Sequence, residues 1–330
     1  MTAPKFWDRP RTAPGFTSRA LSPLGWIYGQ ATARRMARSA ELRPPCPVIC
    51  VGNLHAGGTG KTPTVMAVLQ ELSARGKRPF VISRGYGGSL EGPHLVRPED
   101  LATQVGDEPL LLSAFAPVVI GKDRAAAAKL ALDHGADILV MDDGFQNPSL
   151  AKDLSLVVVD AAKGFGNGRC LPAGPLREAV SPGLARADLL VSLGDGQAQS
   201  QLDQNWGPEI KDLPRLCASL EPLQMGYDWT GTRALAFAGI GRPEKFFATL
   251  RSLNVELVQT VALGDHQPIN DTLFARLKRE AADQGAQLVT TEKDATRLSP
   301  SARREILVLP VRLVSEDWTP LTQALDQLLP

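Results

Sequence analysis

Cysteine and charge of one sign are both scarce in this chain, and each scarcity excludes a class of protein. Four of the 330 residues are cysteines, and Cys46, Cys50, Cys170 and Cys217 form no CxxC pair. This spacing excludes a zinc ribbon or a thioredoxin-like redox site, so we expect reduced thiols. The 36 basic and 35 acidic side chains leave a formal net charge of +1, which provides no overall field for capturing nucleic acid.

Long apolar runs are missing too. No stretch reaches the roughly 18 apolar residues of a membrane-spanning helix, and the first residues do not have the pattern of a signal peptide. We therefore expect a protein of the cytosol or of the cytosolic face of a membrane. The 43% hydrophobic content is that of a globular protein, and the length exceeds the roughly 250 to 300 residues at which one core stops growing. Two domains are expected.

The N-terminal segment, residues 1–45, is the one part with a lopsided charge. Its first 43 residues hold eight basic and two acidic side chains, a net charge of +6. A predicted helix within it, ending before Pro44, carries the apolar and aromatic residues Leu21, Leu24, Trp26, Ile27 and Tyr28. Such a segment can lie in the headgroup layer of an anionic membrane. An amphipathic helix packed on its own domain is the alternative.

From Pro47 onward, apolar strand patterns alternate with helix-length segments. The first unit shows a strand at 48–52, a helix at 64–75, a helix at 124–134 and strands at 79–83, 118–120, 138–141, 156–159 and 189–192. Repeated βαβ units predict an α/β core over residues 46–228, with a mostly parallel sheet and helices on both faces. A second series has strands at 234–238, 255–261, 287–290 and 306–311 and helices at 244–253 and 270–284. It predicts a smaller α/β domain over residues 229–330.

The loop between the first strand and the first helix has the residues of a phosphate-binding loop. Its sequence is His55-Ala56-Gly57-Gly58-Thr59-Gly60-Lys61-Thr62. In such loops backbone amides turn onto phosphate oxygens, the lysine reaches the β and γ phosphates, and the following hydroxyl holds magnesium. His55 stands where the strict pattern has glycine, so we expect Gly57 and Gly58 to provide the tight turn. The context predicts a P-loop NTPase-like fold that binds nucleotide at this loop; a glycine-rich turn without a ligand is the alternative.

Two carboxylates end a neighbouring strand. Asp142 and Asp143 directly follow the apolar run 138–141, where an acidic residue can hold Mg²⁺. Thr62, Asp142 and Asp143 are therefore the candidate magnesium ligands. Adjacent strand residues point to opposite sides, so one of the two acids is expected to serve the metal, and the sequence leaves open which. Acids that cap the next turn are the alternative. No Asn-Lys-x-Asp guanine motif is present, which favours ATP over GTP.

Five further motifs follow one another along the chain. They are Ser83-Arg84-Gly85-Tyr86-Gly87-Gly88, Gly106-Asp107-Glu108-Pro109, Gly121-Lys122-Asp123-Arg124, Leu171-Pro172-Ala173-Gly174-Pro175-Leu176-Arg177-Glu178 and Thr291-Glu292-Lys293-Asp294. Together with Val51-Gly52-Asn53 and Asp142-Asp143-Gly144-Phe145-Gln146, this order resembles the tetraacyldisaccharide 4'-kinases, the membrane-associated kinases of lipid A (lipopolysaccharide) biosynthesis. The resemblance covers most of the chain.

The resemblance implies a phosphoryl transfer from ATP, with Mg²⁺, to the 4'-hydroxyl of a tetraacyldisaccharide 1-phosphate. Lys61 would hold the β and γ phosphates. A sugar hydroxyl must lose its proton as the bond to phosphorus forms, and Asp107 is the candidate acceptor. The family's scheme pairs Asp107 with His266 of the second domain, so the active site is expected between the domains.

Other polar residues suit contacts to phosphate groups or to the substrate. Arg124 is the candidate for ATP, Arg84, Lys122 and Arg177 for ATP or the 1-phosphate, and Gln146 and Glu178 for the metal or hydroxyl shell. The resemblance also implies peripheral, monotopic association with the cytoplasmic face of the bacterial inner membrane. The expected partners are the acylated lipid substrate and an anionic membrane surface, without nucleic acid and without an obligate protein partner.

Two other classes of function remain open at this point. A metallochaperone-type P-loop NTPase would hydrolyse nucleotide to drive delivery of a metal or cofactor, and it would carry clusters of metal ligands. A nucleotide-gated binding module would leave Asp107 and His266 without a role. A phosphate loop alone does not choose among these functions.

Overall fold

The computed structural model describes residues 4–223 and 226–329; residues 1–3, 224–225 and 330, which the predicted domains include, lie outside the described part. The strands are β1 (Val48–Gly52), β2 (Pro79–Ser83), β3 (His94–Leu95), β4 (Val118–Ile120), β5 (Ile138–Asp142), β6 (Leu154–Asp160), β7 (Leu189–Leu193), β8 (Arg215–Pro222), β9 (Arg233–Ala238), β10 (Glu256–Ala262), β11 (Gln287–Thr291), β12 (Leu307–Leu309) and β13 (Val311–Val314). The helices are α1 (Phe16–Ala20), α2 (Ser22–Met36), α3 (Lys61–Ala74), α4 (Ala102–Val105), α5 (Asp107–Leu112), α6 (Arg124–Asp133), α7 (Val180–Leu184), α8 (Gly196–Ile210), α9 (Pro243–Ser252), α10 (Asp271–Asp283), α11 (Glu292–Ala295), α12 (Pro300–Arg303) and α13 (Thr319–Leu328).

A nine-stranded sheet forms the larger unit. Its order is β13-β8-β7-β6-β1-β5-β2-β4-β3. The seven inner strands pair in parallel, and the edge strands β3 and β13 are antiparallel to their neighbours. The α/β fold with a mostly parallel sheet is therefore confirmed. In such sheets the ligand site lies at the carboxyl ends of the strands, where the strand order reverses; here that point is the end of β1, between β5 and β6.

Both faces of the large sheet are covered, which explains the nearly continuous apolar strands. Ile49 and Val51 of β1 pack with α3 and α13 on one face, whereas Val48 and Cys50 pack with α6 and α8 on the other. All five residues of β1 are buried. Because every strand position meets a core, the strands read as apolar runs and not as alternating patterns.

The smaller unit is a four-stranded parallel sheet of order β10-β9-β11-β12. The sequence predicts this unit over residues 229–330, but the last strand of its sheet is β12. The predicted strand 306–311 is two strands: β12 belongs to the small sheet, and β13 pairs antiparallel with β8 of the large one. Leu321 and Leu325 of α13 are then buried in the first core. The chain thus returns to the larger unit after β12, a long-range pairing that strand patterns alone do not reveal.

An ion pair joins the two units near the phosphate loop. Asp160, at the end of β6, accepts hydrogen bonds from Arg242 at 2.7 Å and from Lys245 at 2.9 Å. Burial alone would raise the pKa of Asp160, but these two cations lower it below its usual value. The second unit is therefore held at the carboxyl edge of the large sheet.

The N-terminal helices lie on the larger unit through one face. Ser18 donates to the Ala173 carbonyl at 2.7 Å, and a Cβ added to Gly25 would lie 2.8 Å from the Cys170 carbonyl oxygen. The opposite face of α2 leaves Trp26 68% and Ile27 56% exposed. One face of this segment thus packs on the protein, and the other presents apolar side chains at the surface. None of the helices in residues 4–223 and 226–329 combines the length and the apolar character needed to span a bilayer.

Candidate active site

The phosphate loop joins β1 to α3 and leaves its centre open. Gly57 and Gly60 have φ values of +149° and +91°, backbone conformations that favour glycine. A Cβ added to Gly60 would lie 2.2 Å from a methyl carbon of Leu193, whereas one added to Gly57 or Gly58 would meet no atom within 4 Å. The space in front of Gly57 and Gly58 can therefore take a ligand, and the backbone at Gly60 requires glycine.

Asn53 and His55 fix the start of this loop. The amide of Asn53 donates to the Gly57 carbonyl at 3.1 Å and to the Thr59 hydroxyl at 2.9 Å. His55 is buried and stacks on Phe165 with ring centroids 6.4 Å apart. The histidine at the atypical position thus packs in the core and leaves the loop interior unobstructed.

The buried His55 makes stability depend on pH. Burial lowers the pKa of its imidazole to about 4, below the ordinary value of about 6.5. The unfolded chain therefore binds more protons between these values, so the free energy of unfolding falls as the pH drops from 6.5 towards 4. Compared with His55→Gln, we expect the wild type to lose about 2 kcal/mol more between pH 7.5 and pH 4.5. Urea unfolding at both pH values measures this, and parallel pH dependences in the two proteins would contradict it.

The two carboxylates after β5 point to different places. Asp142 is buried; its Oδ2 accepts from Ser83 at 3.3 Å, and its Oδ1 has no hydrogen-bond partner in the described part of the chain. Burial, reinforced by the charges of Glu108 and Asp143, raises the pKa of Asp142 to about 7. A buried carboxylate oxygen without a hydrogen-bond partner costs free energy, and a bound cation would remove that cost.

Asp143 takes a left-handed conformation, φ +52°, and turns towards two cations. Its Oδ1 lies 2.7 Å from Arg177 and 3.5 Å from the Lys61 ammonium. Burial alone would raise the pKa of Asp143, but Lys61 and Arg177 bring it below its usual value. Asp143 therefore holds the phosphate-loop lysine, and the geometry favours Asp142 as the magnesium ligand.

Two arginines border the same space. Arg124 is buried, donates to the Gly121 carbonyl at 3.0 Å, and has an Nε without a partner among residues 4–223 and 226–329. Burial lowers the pKa of Arg124 to about 10, although Asp142 and Asp143 oppose that shift. Arg84 is exposed. Lys122, another predicted phosphate contact, lies on the surface and pairs with Glu91 at 2.6 Å.

Arg177, Gln146 and Glu178 form a network behind the phosphate loop. The strand-like contact between His55 and Leu176 brings Arg177 beside the loop. Gln146 donates to the Asn53 carbonyl and to Glu178, both at 2.8 Å. Glu178 also pairs with Arg186. This network ties the Asp142 and Arg177 motifs to the loop.

Asp107 and His266 meet across the boundary between the units. Asp107 begins α5 and is buried, and its Oδ2 lies 3.0 Å from Nδ1 of His266. His266 follows β10 in the smaller unit, has φ +57°, and lies edge-on to Tyr86 with ring centroids 5.4 Å apart. Asp107 and His266, the two residues that the family's scheme pairs, are thus in contact in this structure.

Comparisons with known proteins show the family of this chain. The family model described as Tetraacyldisaccharide-1-P 4'-kinase matches residues 17–330. Proteins of Dinoroseobacter shibae and of Jannaschia sp. (strain CCS1), both named tetraacyldisaccharide 4'-kinase, are 58% and 53% identical to this chain. The alignments cover 100% of this chain and 98% and 99% of those proteins.

This chain belongs to the tetraacyldisaccharide 4'-kinase family.

A solved structure agrees with the family and with the fold. The crystal structure described as an "apo" form of LpxK from Aquifex aeolicus in complex with ATP matches this kinase with a TM-score of 0.78 and 25% identity. The match covers 96% of this chain and 100% of that one. The P-loop NTPase-like fold predicted from the sequence is therefore confirmed. The metal-ligand clusters of the metallochaperone alternative are not found among the described residues.

Two residues of the kinase site are not among those predicted from the sequence. Asn53 shapes the phosphate loop. It ends the motif Val51-Gly52-Asn53 directly before that loop, and both the motif and the position could have indicated it. Arg297 donates to Asp107 from 190 positions away. Arg297 lies three residues after Asp294, which is the last residue of the motif Thr291-Glu292-Lys293-Asp294. The sequence alone indicated no role for that motif.

Proposed function

We propose that this chain transfers the γ-phosphoryl group of ATP to the 4'-hydroxyl of a tetraacyldisaccharide 1-phosphate in lipid A biosynthesis. The observation that carries the proposal is that three features lie at one edge of the sheet. They are the open phosphate loop, an Asp142 oxygen that has no hydrogen-bond partner among the described residues, and the Asp107–His266 pair. The family description, Tetraacyldisaccharide-1-P 4'-kinase, supports this lipid as the acceptor of the phosphoryl group. The Aquifex aeolicus relative, described as a complex with ATP, supports the donor.

Phosphoryl transfer asks the protein mainly for positioning and neutralisation of charge. Lys61, held by Asp143, suits the β and γ phosphates. Arg124 adds a buried guanidinium whose Nε has no hydrogen-bond partner among the described residues. The oxygens of Thr62 and Asp142 would hold Mg²⁺, which when bound neutralises the charge of the phosphates. The residues present fit that ion, because a buried carboxylate oxygen without a donor is a hard ligand of the kind magnesium prefers.

The proton of the acceptor hydroxyl goes to the Asp107–His266 pair. The two residues come from different units, so the acceptor site is complete only when the units are in contact. Arg84 and Arg177 suit a phosphate of the substrate, because a guanidinium binds phosphate through two parallel hydrogen bonds. Arg84 is exposed and available for this, and Arg177 already binds Asp143.

We further propose peripheral association with the cytoplasmic face of the bacterial inner membrane through α2. Its outer face presents Leu24, Trp26 and Ile27, with exposures of 54% to 68%. Arg34 and Arg35 lie in its last turn. Apolar side chains that enter the headgroup region and arginines that meet anionic lipid both favour binding.

Replacing the apolar side chains of α2 should weaken binding to membranes. We expect the triple variant Leu24→Ser, Trp26→Ser, Ile27→Ser to bind vesicles of mixed neutral and anionic lipid at least tenfold more weakly, because buried apolar area contributes to interfacial binding. Leu101→Ser, which alters an equally exposed leucine of the larger unit, is the matched control. Vesicle co-sedimentation at low and high salt measures both, and equal sedimentation of the triple variant and the control would contradict the proposal.

The proposed reaction is tested with two acceptors in detergent micelles. Tetraacyldisaccharide 1-phosphate should take label from γ-labelled ATP, and the same lipid without its 4'-hydroxyl should take none. Label on the deoxy lipid would place the transfer at another hydroxyl. Absence of label on both lipids, with active protein, would overturn the proposed function.

A further inference from the structure

The first described residues, 4–15, lie on the larger unit as an extended segment, which we call the N-terminal strap. The guanidinium of Arg11 lies over the ring of Trp206, 4.8 Å from its centroid, and pairs with Glu209 at 2.6 Å. Both partners belong to α8, so the strap is docked on that helix. The match to the family model begins at residue 17, so the family assigns no role to the strap.

The strap also holds a loop of the larger unit, residues 163–178, which we call the bridging loop. The indole of Trp7 donates to the carbonyl of Pro172 at 3.1 Å. In return, the backbone amide of Asn167 donates to the Trp7 carbonyl at 3.0 Å. A Cβ added to Gly166 would lie 2.9 Å from the same carbonyl oxygen. The backbones of the strap and the bridging loop are therefore in direct contact.

The side chain of Asn167 joins the strap to the middle of the bridging loop. It is buried, and its amide donates to the carbonyls of Phe6 at 3.3 Å and of Ala173 at 3.0 Å. The amide also donates to the hydroxyl of Ser18 in α1 at 3.0 Å, and Oδ1 accepts from the Arg169 amide at 3.1 Å. A buried polar group with all its partners fixes one arrangement of the segments that it connects.

The end of the bridging loop supports the start of the phosphate loop. The backbone amide of Ala56 donates to the Pro175 carbonyl at 2.8 Å, and that of Arg177 donates to the Leu54 carbonyl at 2.7 Å. The side chain of Arg177 then pairs with Asp143 at 2.7 Å. Backbone hydrogen bonds thus connect the strap, through one loop, to the place where the phosphate loop begins.

We propose that Trp7 and Asn167 are positioning residues for the nucleotide site, because they hold the bridging loop where its backbone supports Leu54 and Ala56. The inference rests on the proposed function in one respect, that ATP and ADP bind at the phosphate loop. A loop already held in its binding arrangement loses less conformational freedom when the ligand arrives, so the docked strap strengthens nucleotide binding. Coupling between two sites is reciprocal, so bound nucleotide stabilises the docked strap by the same factor.

The first test measures the Kd of ADP in detergent without lipid, for the full chain and its variants. Asn270→Ala is the matched control for Asn167→Ala, because Asn270 caps α10 of the smaller unit by accepting from the Leu273 amide at 2.9 Å. We expect Asn167→Ala to bind ADP about tenfold more weakly than the wild type, an ordinary coupling between two sites. The control should bind ADP like the wild type. Equal affinities of Asn167→Ala and the wild type would overturn the proposal.

Trp7→Phe is the milder variant and decides the matter if Asn167→Ala does not fold. It keeps an aromatic ring and removes only the donor to the Pro172 carbonyl. We expect the Kd of ADP and KM for ATP to rise about threefold, and kcat at saturating ATP to change less than about twofold, as suits the loss of one hydrogen bond. A merely structural contact would instead lower the melting temperature and kcat and leave KM for ATP unchanged, and that result would overturn the proposal.

Nucleotide should in turn protect the strap from proteolysis. Lys5 and Arg11 are exposed, and trypsin cleaves after them when the strap detaches. We expect saturating ADP to slow both cleavages about tenfold in the wild type, the factor by which the strap strengthens binding, and not in Asn167→Ala. Equal rates with and without ADP in the wild type would overturn the inference. A wild type that binds ADP but transfers no label to the lipid overturns the proposed function instead, so the two failures are distinguishable.

Discussion

Replacing Lys61 by alanine should lower the rate of phosphoryl transfer about 10³-fold, the size of effect found when one preorganised donor is removed from a charge-stabilising site. Lys61 is the first residue of α3, its side chain is 11% exposed, and Asp143 holds its ammonium at 3.5 Å beside the open part of the loop. The charge it neutralises grows on the phosphate oxygens as the bond breaks, so we expect kcat to fall more than KM for ATP rises.

Lys129→Ala is the control for this change. Lys129 is an exposed residue of α6, so its loss removes the same positive charge from the chain without altering the site. We expect wild-type kcat from the control and similar melting temperatures for both variants. A Lys61→Ala protein that keeps more than about a tenth of the wild-type kcat would contradict the role given to Lys61.

Asp142→Asn should lower kcat by a similar factor and, without nucleotide and metal, raise the stability of the protein. The substitution keeps the shape of the side chain and removes the charge proposed to hold Mg²⁺. A loss of several kcal/mol of transition-state stabilisation corresponds to about 10³-fold in kcat. The requirement for Mg²⁺ should also move to higher concentrations.

The stability effect follows from the raised pKa of Asp142, about 7 in the folded chain. The folded state holds a proton that the unfolded state releases near pH 4, so wild-type stability falls as the pH rises from about 4 to 7. Asparagine does not pay this penalty. Without nucleotide and metal, Asp142→Asn should therefore melt at a higher temperature than the wild type at pH 8, and the gap should close towards pH 4.

Asp133→Asn, at an exposed position of α6, is the control for both measurements. It should change neither kcat nor the pH dependence of melting. Normal activity of the Asp142→Asn protein would contradict this assignment and would mean that Asp143 or other residues bind the metal.

The features that could be predicted from the sequence are those whose chemistry is local. The glycines, Lys61 and Thr62 lie within one loop, and Asp142 and Asp143 end one strand, so their spacing carries the signal. The sequence predicted different tasks for these two acids, but not the choice of the one that contacts Lys61. It depends on the left-handed backbone at Asp143, which turns that side chain to Lys61 and Arg177.

The features that could not be predicted join distant parts of the chain. Arg297 and Asp107 are 190 positions apart, and no periodicity or spacing marks an ion pair between two units. The return of β13 to the large sheet has the same cause, because its partner β8 lies about 90 residues earlier and a short apolar run does not indicate its neighbour. The Asp160–Arg242 contact likewise depends on how the units meet.

The most direct test of the central claim is the ratio of ADP formed to label gained by the lipid. The wild type, given γ-labelled ATP and tetraacyldisaccharide 1-phosphate in micelles, should form one ADP for each labelled lipid and almost no ADP when the lipid is omitted. Free phosphate released at the same rate with and without lipid, and no label on the lipid, would contradict the account and identify water as the acceptor.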